Sequence, residues 1–204
     1  MGVMLYQASS ATLFIVVKTT FFACCLLLLG TLPTSLASSY VVHIENQTSP
    51  TPTVEDWLST LGTALGPTLA DAIRRGRDQA HPRAQAIPPA IRQKLAPFFS
   101  AAILKKVRYS TDWQNVTSDG ALYSLLLATG AEAVTLGEVV IFRDAANAAD
   151  PLLWAHELTH VEQYTRLGIA AFATQYLQQG WQMEEEAKAK ARKIQQQLSP
   201  PRIQ

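Results

Sequence analysis

The residue pattern with the clearest chemical meaning is a pair of histidines four positions apart, His156 and His160, with Glu157 next to the first. At 3.6 residues per helical turn the histidines lie about 40° apart on one face, so their imidazole rings can share one metal ion. Zinc accepts imidazole nitrogens at about 2.0–2.1 Å, which rings on successive turns of a rigid helix can satisfy. Glu157 can reach a water at such an ion without being a ligand. The pattern therefore predicts Zn²⁺-assisted hydrolysis, with Glu157 as the catalytic general base.

The residues before this motif predict the start of the helix that must carry it. Asp150 can cap free backbone N–H groups, and Pro151 suits the first helical position. Leu153 and Trp154 then give the helix an apolar flank. The alternative is a surface helix on which two histidines and a glutamate coincide by chance, and that helix would need neither the cap nor the apolar flank.

A third metal ligand must come from another part of the chain, and the C-terminal helix offers three adjacent glutamates. The apolar stripe of this helix consists of Trp181, Ala187, Ala191, Ile194 and Leu198. Only Glu184 continues the stripe, so we predict that Glu184 is the third ligand and that Glu185 and Glu186 face water. The alternative is that all three glutamates only favour the positive end of the helix dipole.

These residues resemble known metallopeptidases. The motif from His156 to His160, followed by Glu184 three residues before Ala187, is similar to the gluzincin arrangement. About half of the chain, from Pro89 to Gln163, also resembles an uncharacterised bacterial family of zinc peptidases, domain of unknown function 4157, often found in toxin and injection-system proteins. The resemblance implies a zincin-like fold and peptidase activity on a peptide or protein, without identifying the substrate. It leaves open a non-catalytic zincin-like module attached to, or delivered with, a larger assembly.

Two tyrosines near the predicted site could assist the reaction. Tyr164 lies one turn beyond His160 on the same face, and Tyr176 is expected on a separate helix. Either phenol could donate a hydrogen bond to an oxyanion. The same spacing also fits half-buried tyrosines that serve packing alone, so the sequence leaves their role open.

The N-terminal residues predict export from the cytoplasm. Lys18 precedes an apolar run from Phe21 to Leu32, which is shorter than the ~20 residues that a helix needs to cross a bilayer. Cleavage after Ala37 would leave a secreted or periplasmic protein that starts at Ser38 and has no stable membrane insertion. The alternative is a membrane anchor formed by an uncleaved N-terminal segment.

Composition places the rest of the chain among ordinary globular domains. Of 204 residues, 48% are hydrophobic and 16% are charged. Lys18 is one of 17 basic residues and the only one before Ser38, so the remaining 16 balance the 16 acidic residues. This balance gives no electrostatic indication of a nucleic-acid partner. We expect a signal peptide over 1–37, a leader with N-terminal helices and a linker over 38–86, and a zincin-like metallopeptidase domain over 87–204.

The expected architecture is α+β and mainly helical, with a small β-sheet or hairpin beside the metal-binding helix. Val107 to Tyr109 has the β-branched and aromatic character of a strand. Ala133 to Phe142 alternates in the manner of two strands, with a tight turn at Leu136-Gly137-Glu138.

Further helices are predicted from apolar spacing and from proline and glycine signals. Two short helices are expected on either side of Gly66-Pro67, followed by a polar loop over 78–86. Pro88-Pro89 predicts the start of another helix that continues through Leu95. A Leu-rich helix is expected over 121–128.

Overall fold

The computed structural model of the protein describes residues 53–116 and 130–198. Apart from Gly130, these residues belong to one compact unit. The unit is mainly helical with one small mixed sheet beside the helices, which confirms the expected α+β class. The predicted signal peptide and the predicted helix over 121–128 lie outside the described residues, and the domain boundaries stay a prediction. Within the described ranges, no helix combines the length and apolar character that crossing a bilayer requires.

Five helices, four strands and two short 3₁₀ turns make up this unit. The helices are α1 (Val54–Ala80), α2 (Pro89–Leu95), α3 (Ala101–Lys106), α4 (Trp113–Val116) and α5 (Pro151–Leu198). The strands are β1 (Gln85–Ala86), β2 (Arg108–Ser110), β3 (Ala133–Leu136) and β4 (Val139–Phe142), and the 3₁₀ turns are His81–Arg83 and Asn147–Ala149. Non-helical backbone at Gly168 and Gln179 divides α5 into a motif segment (151–167), a middle segment (169–178) and a terminal segment (180–198).

The four strands form one mixed sheet in the order β1-β2-β4-β3. Strand β2 runs parallel to β4, whereas β1 with β2 and β3 with β4 are antiparallel. The predicted hairpin is therefore confirmed, and its turn contains Gly137 with a φ of 68°, a conformation that glycine adopts without strain. Every residue of β4 is buried, so β4 forms the centre of the sheet.

The motif segment begins where the sequence predicts and is fixed against the sheet. The Asp150 Oδ1 atom accepts a hydrogen bond from the Leu152 backbone N–H at 2.7 Å, which is the expected cap. Trp154 is fully buried, and its indole N–H donates to the Ala148 carbonyl at 2.8 Å. The Trp154 ring also packs on Phe142 of β4, with centroids 4.7 Å apart. These contacts set the position of the helix immediately before the histidines.

One hydrophobic core joins the sheet, α2, α3 and both ends of α5. Its buried members include Leu95, Val107, Val140, Phe142, Trp154, Leu158 and Ile194. Leu158 belongs to the motif segment and Ile194 to the terminal segment, so α5 folds back on itself through its two non-helical residues. This return brings the C-terminal glutamates toward the histidines.

Helix α1 differs from its prediction. It is one continuous helix that contains Pro67, so the prediction of two short helices is wrong. Gly62 and Gly66 are buried one turn apart, facing the middle segment. A Cβ atom at Gly66 would lie 2.4 Å from Thr174 Oγ1, and one at Gly62 would lie 2.3 Å from Gln178 Cγ. Close packing against a second helix thus outweighs the local cost of proline, about 3 kcal/mol relative to alanine.

The segment over 78–86 is also more ordered than predicted. Its residues form the last turn of α1, the His81–Arg83 turn and strand β1, so the prediction of a polar loop is wrong. Strand β1 pairs Gln85 with Tyr109 and Ala86 with Arg108. Both residues of β1 are exposed, so this edge strand lacks the alternation of apolar and polar residues that identifies a half-buried strand.

The contact at Gly66 leads to a stability prediction. We expect Gly66→Ala to lower the free energy of unfolding, because overpacking of about 1–3 kcal/mol exceeds the ~1 kcal/mol by which alanine favours a helix. The matched control is Gly180→Ala, whose Cβ would lie 3.6–3.7 Å from the Tyr176 ring, an ordinary contact. Urea unfolding of the full-length variants measures both effects. A stabilising effect of Gly66→Ala would contradict tight packing between α1 and the middle segment.

Candidate metal centre

The fold brings together the three residues that the sequence predicts as metal ligands. His156 Nε2 and His160 Nε2 lie 3.1 Å apart. The Glu184 carboxylate approaches both, with Oε2 at 3.3 Å from His156 Nε2 and Oε1 at 3.4 Å from His160 Nε2. Among the described residues, this is the one group of three side chains with the geometry to hold a metal ion.

The spacing of these atoms fits a tetrahedral zinc ion. Ligand atoms at about 2.0–2.1 Å from an ion, placed at tetrahedral angles, lie about 3.3–3.4 Å from one another. The two imidazole nitrogens are 3.1 Å apart, and each lies 3.3–3.4 Å from a different oxygen of the Glu184 carboxylate, so the three side chains can surround one ion of this size. The side chains of His156 and Glu184 are 18% and 27% exposed, so the group is open to solvent on one side. Three protein ligands leave a fourth position for water, as in catalytic zinc sites.

Hydrogen bonds determine which nitrogen of His160 faces the group. The Gln163 Nε2 atom donates to the Met183 carbonyl at 3.0 Å and to Glu186 Oε2 at 2.9 Å, so Oε1 is the accepting atom of this amide. Gln163 Oε1 lies 2.8 Å from His160 Nδ1, which therefore carries hydrogen and donates it. In the neutral ring the Nε2 lone pair then points toward the ligand group, as a metal-binding histidine requires.

The charges around the group shift the pKa values of its members. Burial lowers the pKa of His160, but the hydrogen bond and charge of Glu184 and the charge of Glu157 outweigh burial and raise it to about 9. Burial raises the pKa of Glu184, whereas the hydrogen bonds and charges of His156 and His160 hold that pKa far below its usual range. A carboxylate that stays ionised beside these rings also favours a bound cation.

Glu157 is buried next to the ligand group and is turned toward β3. Its Oε2 atom accepts a hydrogen bond from Thr135 Oγ1 at 2.6 Å, and both side chains are buried. Hydrogen bonds to a charged acceptor are about twice as strong as neutral ones, so Thr135 holds the carboxylate in place. Glu157 follows His156 by one residue, which rotates it about 100° from the ligand face. Its role as general base remains a prediction. Thr135 carries no sequence signal for this contact, because it follows from packing of the strand on the helix.

The two tyrosines occupy different environments. Tyr176 donates its hydroxyl hydrogen to Glu184 Oε1 at 2.8 Å, so it orients the third predicted ligand. Burial and the neighbouring Glu184 charge raise the pKa of Tyr176 well above its usual value. Tyr164 is buried and stacks on Phe172 at 3.6 Å between centroids, and Phe172 stacks in turn on Tyr176 at 5.5 Å. Tyr164 therefore packs within an aromatic stack, whereas Tyr176 contacts the ligand group.

Only the middle of the apolar stripe predicted for the terminal segment, on the face that carries Glu184, is buried. Ala187 and Ile194 are buried, as expected. Trp181 is 59% exposed and Leu198 is 41% exposed, so the stripe prediction is wrong at both ends. Both residues lie near the ends of the segment, beyond the part that the core covers.

The other two glutamates of the terminal segment also differ from each other. Glu185 pairs with Lys188 at 3.7 Å on the outer face, as predicted. Glu186 also faces water, as predicted, with its side chain 45% exposed, and in addition it accepts hydrogen bonds from Gln163 at 2.9 Å and from Arg166 at 3.2 Å. The Arg166 hydrogen bond is the largest influence that lowers the pKa of Glu186. Glu186 is thus an indirect partner of His160, connected through Gln163.

Comparison with known proteins supports a metallopeptidase-like class. The sequence model of the eCIS core domain family matches residues 86–168, which is less than half of the chain and includes the histidine motif but not Glu184. This family is named for the extracellular contractile injection system and belongs to the zincin-like metallopeptidase clan of domain of unknown function 4157. Over these residues the chain is therefore similar to a zincin-like family, and His156, His160 and Glu184 form a candidate metal site. Searches of curated proteins and of solved structures returned no match.

Proposed function

We propose that the protein is a zinc-dependent metallopeptidase of the gluzincin type, which hydrolyses peptide bonds outside the cytoplasm. One observation carries this proposal. His156 Nε2, His160 Nε2 and the Glu184 carboxylate converge at 3.1–3.4 Å, and Glu157 lies beside them in the same helix. A structural zinc site would need no such glutamate, and it usually has four protein ligands rather than three. The apolar run from Phe21 to Leu32 supports the extracytoplasmic location.

The side chains around the group suit hydrolysis by a general base. A zinc ion supplies an acidified water and polarises the peptide carbonyl. Glu157 would accept a proton from that water and pass it to the leaving amine. Thr135 occupies Oε2 of Glu157, so the proton would be taken at Oε1. Tyr176 would hold Glu184 in its ligand orientation throughout, because the phenol hydrogen bond is directed at Oε1.

A second candidate is a non-catalytic zincin-like module that is attached to, or delivered with, a larger assembly. The match over residues 86–168 favours this candidate, because the matched family takes its name from an injection apparatus. In such a module the metal would stabilise the return of the terminal segment onto the motif segment. Glu157 would then serve only as the buried partner of Thr135.

Metal content and peptide cleavage, measured on the same full-length preparation, test the proposal. We expect one zinc per chain and cleavage of a peptide library that stops with a chelator and resumes when zinc is restored. His156→Ala should lose both properties, whereas the control His81→Ala, an exposed histidine in the turn after α1, should keep both. One zinc per chain without cleavage would favour the non-catalytic module, and a parent protein that binds no zinc would contradict both candidates.

A further inference from the structure

Gln163 is a fully buried amide that contacts both halves of the candidate metal centre. We infer that Gln163 is a positioning residue, which orients His160 and holds the segment that carries Glu184. The inference rests on the proposed zinc site and identifies a residue that sets its geometry. Gln163 lies three residues beyond His160 and contributes no ligand atom.

The first part of this role concerns the ring of His160. The Gln163 Oε1 atom accepts the Nδ1 hydrogen of His160 at 2.8 Å, which leaves Nε2 directed at His156 and Glu184. A rotated ring would direct its other nitrogen into the group and leave a buried N–H without a partner. Because both hydrogens of Gln163 Nε2 are used elsewhere, the amide cannot flip without losing bonds at both of its ends.

The second part concerns the position of Glu184. Gln163 donates to the backbone carbonyl of Met183, immediately before Glu184, and to the side chain of Glu186, two residues after it. One side chain thus bonds both flanks of the third predicted ligand. Arg166 donates to both oxygens of the Glu186 carboxylate, at 3.2–3.3 Å. Because non-helical residues interrupt α5 between the histidines and Glu184, the helical backbone by itself does not set their separation.

Other contacts keep the two segments together when Gln163 is replaced. Lys190 of the terminal segment donates to Glu162 Oε2 at 2.5 Å, and Ile194 is buried in the core. Lys190 also lies over the Phe99 ring, 4.1 Å from its centroid. Substitution of Gln163 should therefore leave the fold assembled and change the geometry of the centre.

The test compares Gln163→Leu with Thr159→Val in the full-length protein. Thr159 is a buried neighbour of His160 whose hydroxyl donates to the Ala155 carbonyl at 2.8 Å. Its replacement removes this one buried hydrogen bond, against three for Gln163→Leu, and keeps the hydrogen bond of the His160 ring. We expect Gln163→Leu to weaken zinc binding by about 10- to 100-fold, the usual effect of losing the hydrogen-bond partner of a metal-binding histidine. Thr159→Val should bind zinc as the parent does.

A second measurement follows the Nδ1 hydrogen of His160 by NMR. In the parent protein and in Thr159→Val, this hydrogen should exchange slowly with solvent because it is donated to a buried oxygen, whereas Gln163→Leu should lose the protected signal.

The outcomes separate this inference from the proposed function. A protected Nδ1 signal in Gln163→Leu, or equal zinc affinities in Gln163→Leu and Thr159→Val, would overturn the positioning role. The zinc affinity of the parent tests the proposed function, whereas the His160 signal in the metal-free protein tests Gln163 regardless of whether zinc binds.

Discussion

Glu157→Gln is expected to retain one zinc per chain and to lose peptide hydrolysis. The substitution keeps the shape of the side chain and an oxygen that can accept the Thr135 hydroxyl hydrogen, so the 2.6 Å contact can survive. It removes the ability to take up a proton. General base catalysis contributes about 10²- to 10⁴-fold to rate, so kcat should fall by at least that range.

The matched control for this variant is Glu162→Gln, which removes the same charge from the same helix. Glu162 pairs with Lys190 and is not part of the ligand group. The Glu162→Gln variant should therefore hydrolyse peptide at nearly the parental rate. Cleavage rates on a peptide selected from the library and zinc analysis of each preparation measure the two effects. Parental cleavage by Glu157→Gln would show that the mechanism is wrong, while the metal site would stand. Loss of zinc would show that Glu157 contributes to metal binding.

Glu184→Ala is expected to produce the largest loss of zinc affinity among the three adjacent glutamates. Glu184 places its two carboxylate oxygens at 3.3 Å and 3.4 Å from the histidine nitrogens, so its removal deletes the one carboxylate of the ligand group. The loss should exceed the 10- to 100-fold effect of removing an outer partner. It also leaves the Tyr176 hydroxyl without its carboxylate acceptor.

Alanine variants of the two adjacent glutamates show whether the loss of zinc affinity is specific to Glu184. Glu185→Ala removes an exposed ion pair and should stay within about 0.5 kcal/mol of parental stability, with unchanged zinc binding. Glu186→Ala should weaken zinc binding by less than Glu184→Ala, because it removes a partner of Gln163 and not a ligand. Titration of zinc against a chromophoric chelator ranks the three variants. Equal affinities would mean that no single glutamate is essential, and a loss confined to Glu186→Ala would assign the ligand to Glu186.

The hydrogen bonds around the candidate centre suggest how it keeps its geometry. Thr135 holds Glu157, Tyr176 holds Glu184, and Gln163 holds His160. Each donor or acceptor comes from a different part of the fold, namely the edge strand β3, the middle segment and the motif segment. Such preorganisation reduces the rearrangement that metal binding or catalysis would require.

Features that depend on residues close together in the chain could be predicted from the sequence. The four-residue spacing of His156 and His160 determines a shared helical face, and Asp150 determines the start of that helix through its own side-chain cap. The β3–β4 hairpin follows equally from its alternation and from Gly137. Glu184 could be selected by helical periodicity, because Ala187 and Ile194 on the same stripe are buried.

Features that depend on packing between distant segments required the tertiary structure. Helix α1 continues through Pro67 because Gly62 and Gly66 allow the middle segment to approach closely, and local propensity contains no information about that neighbour. The pairing of Thr135 with Glu157 likewise arises only when β3 lies against the motif segment.

The side chains that hydrogen-bond around the predicted metal ligands also depend on packing between distant segments. Gln163 and Glu186 meet only because α5 reverses through Gly168 and Gln179, which bring two ordinary polar residues of separate helical segments within 2.9 Å. Periodicity describes which face of one helix a residue occupies, but it does not describe which face of another segment lies opposite. The sequence by itself therefore determined the histidine pair and its most suitable glutamate, whereas the tertiary structure decided which buried polar groups hold them in position.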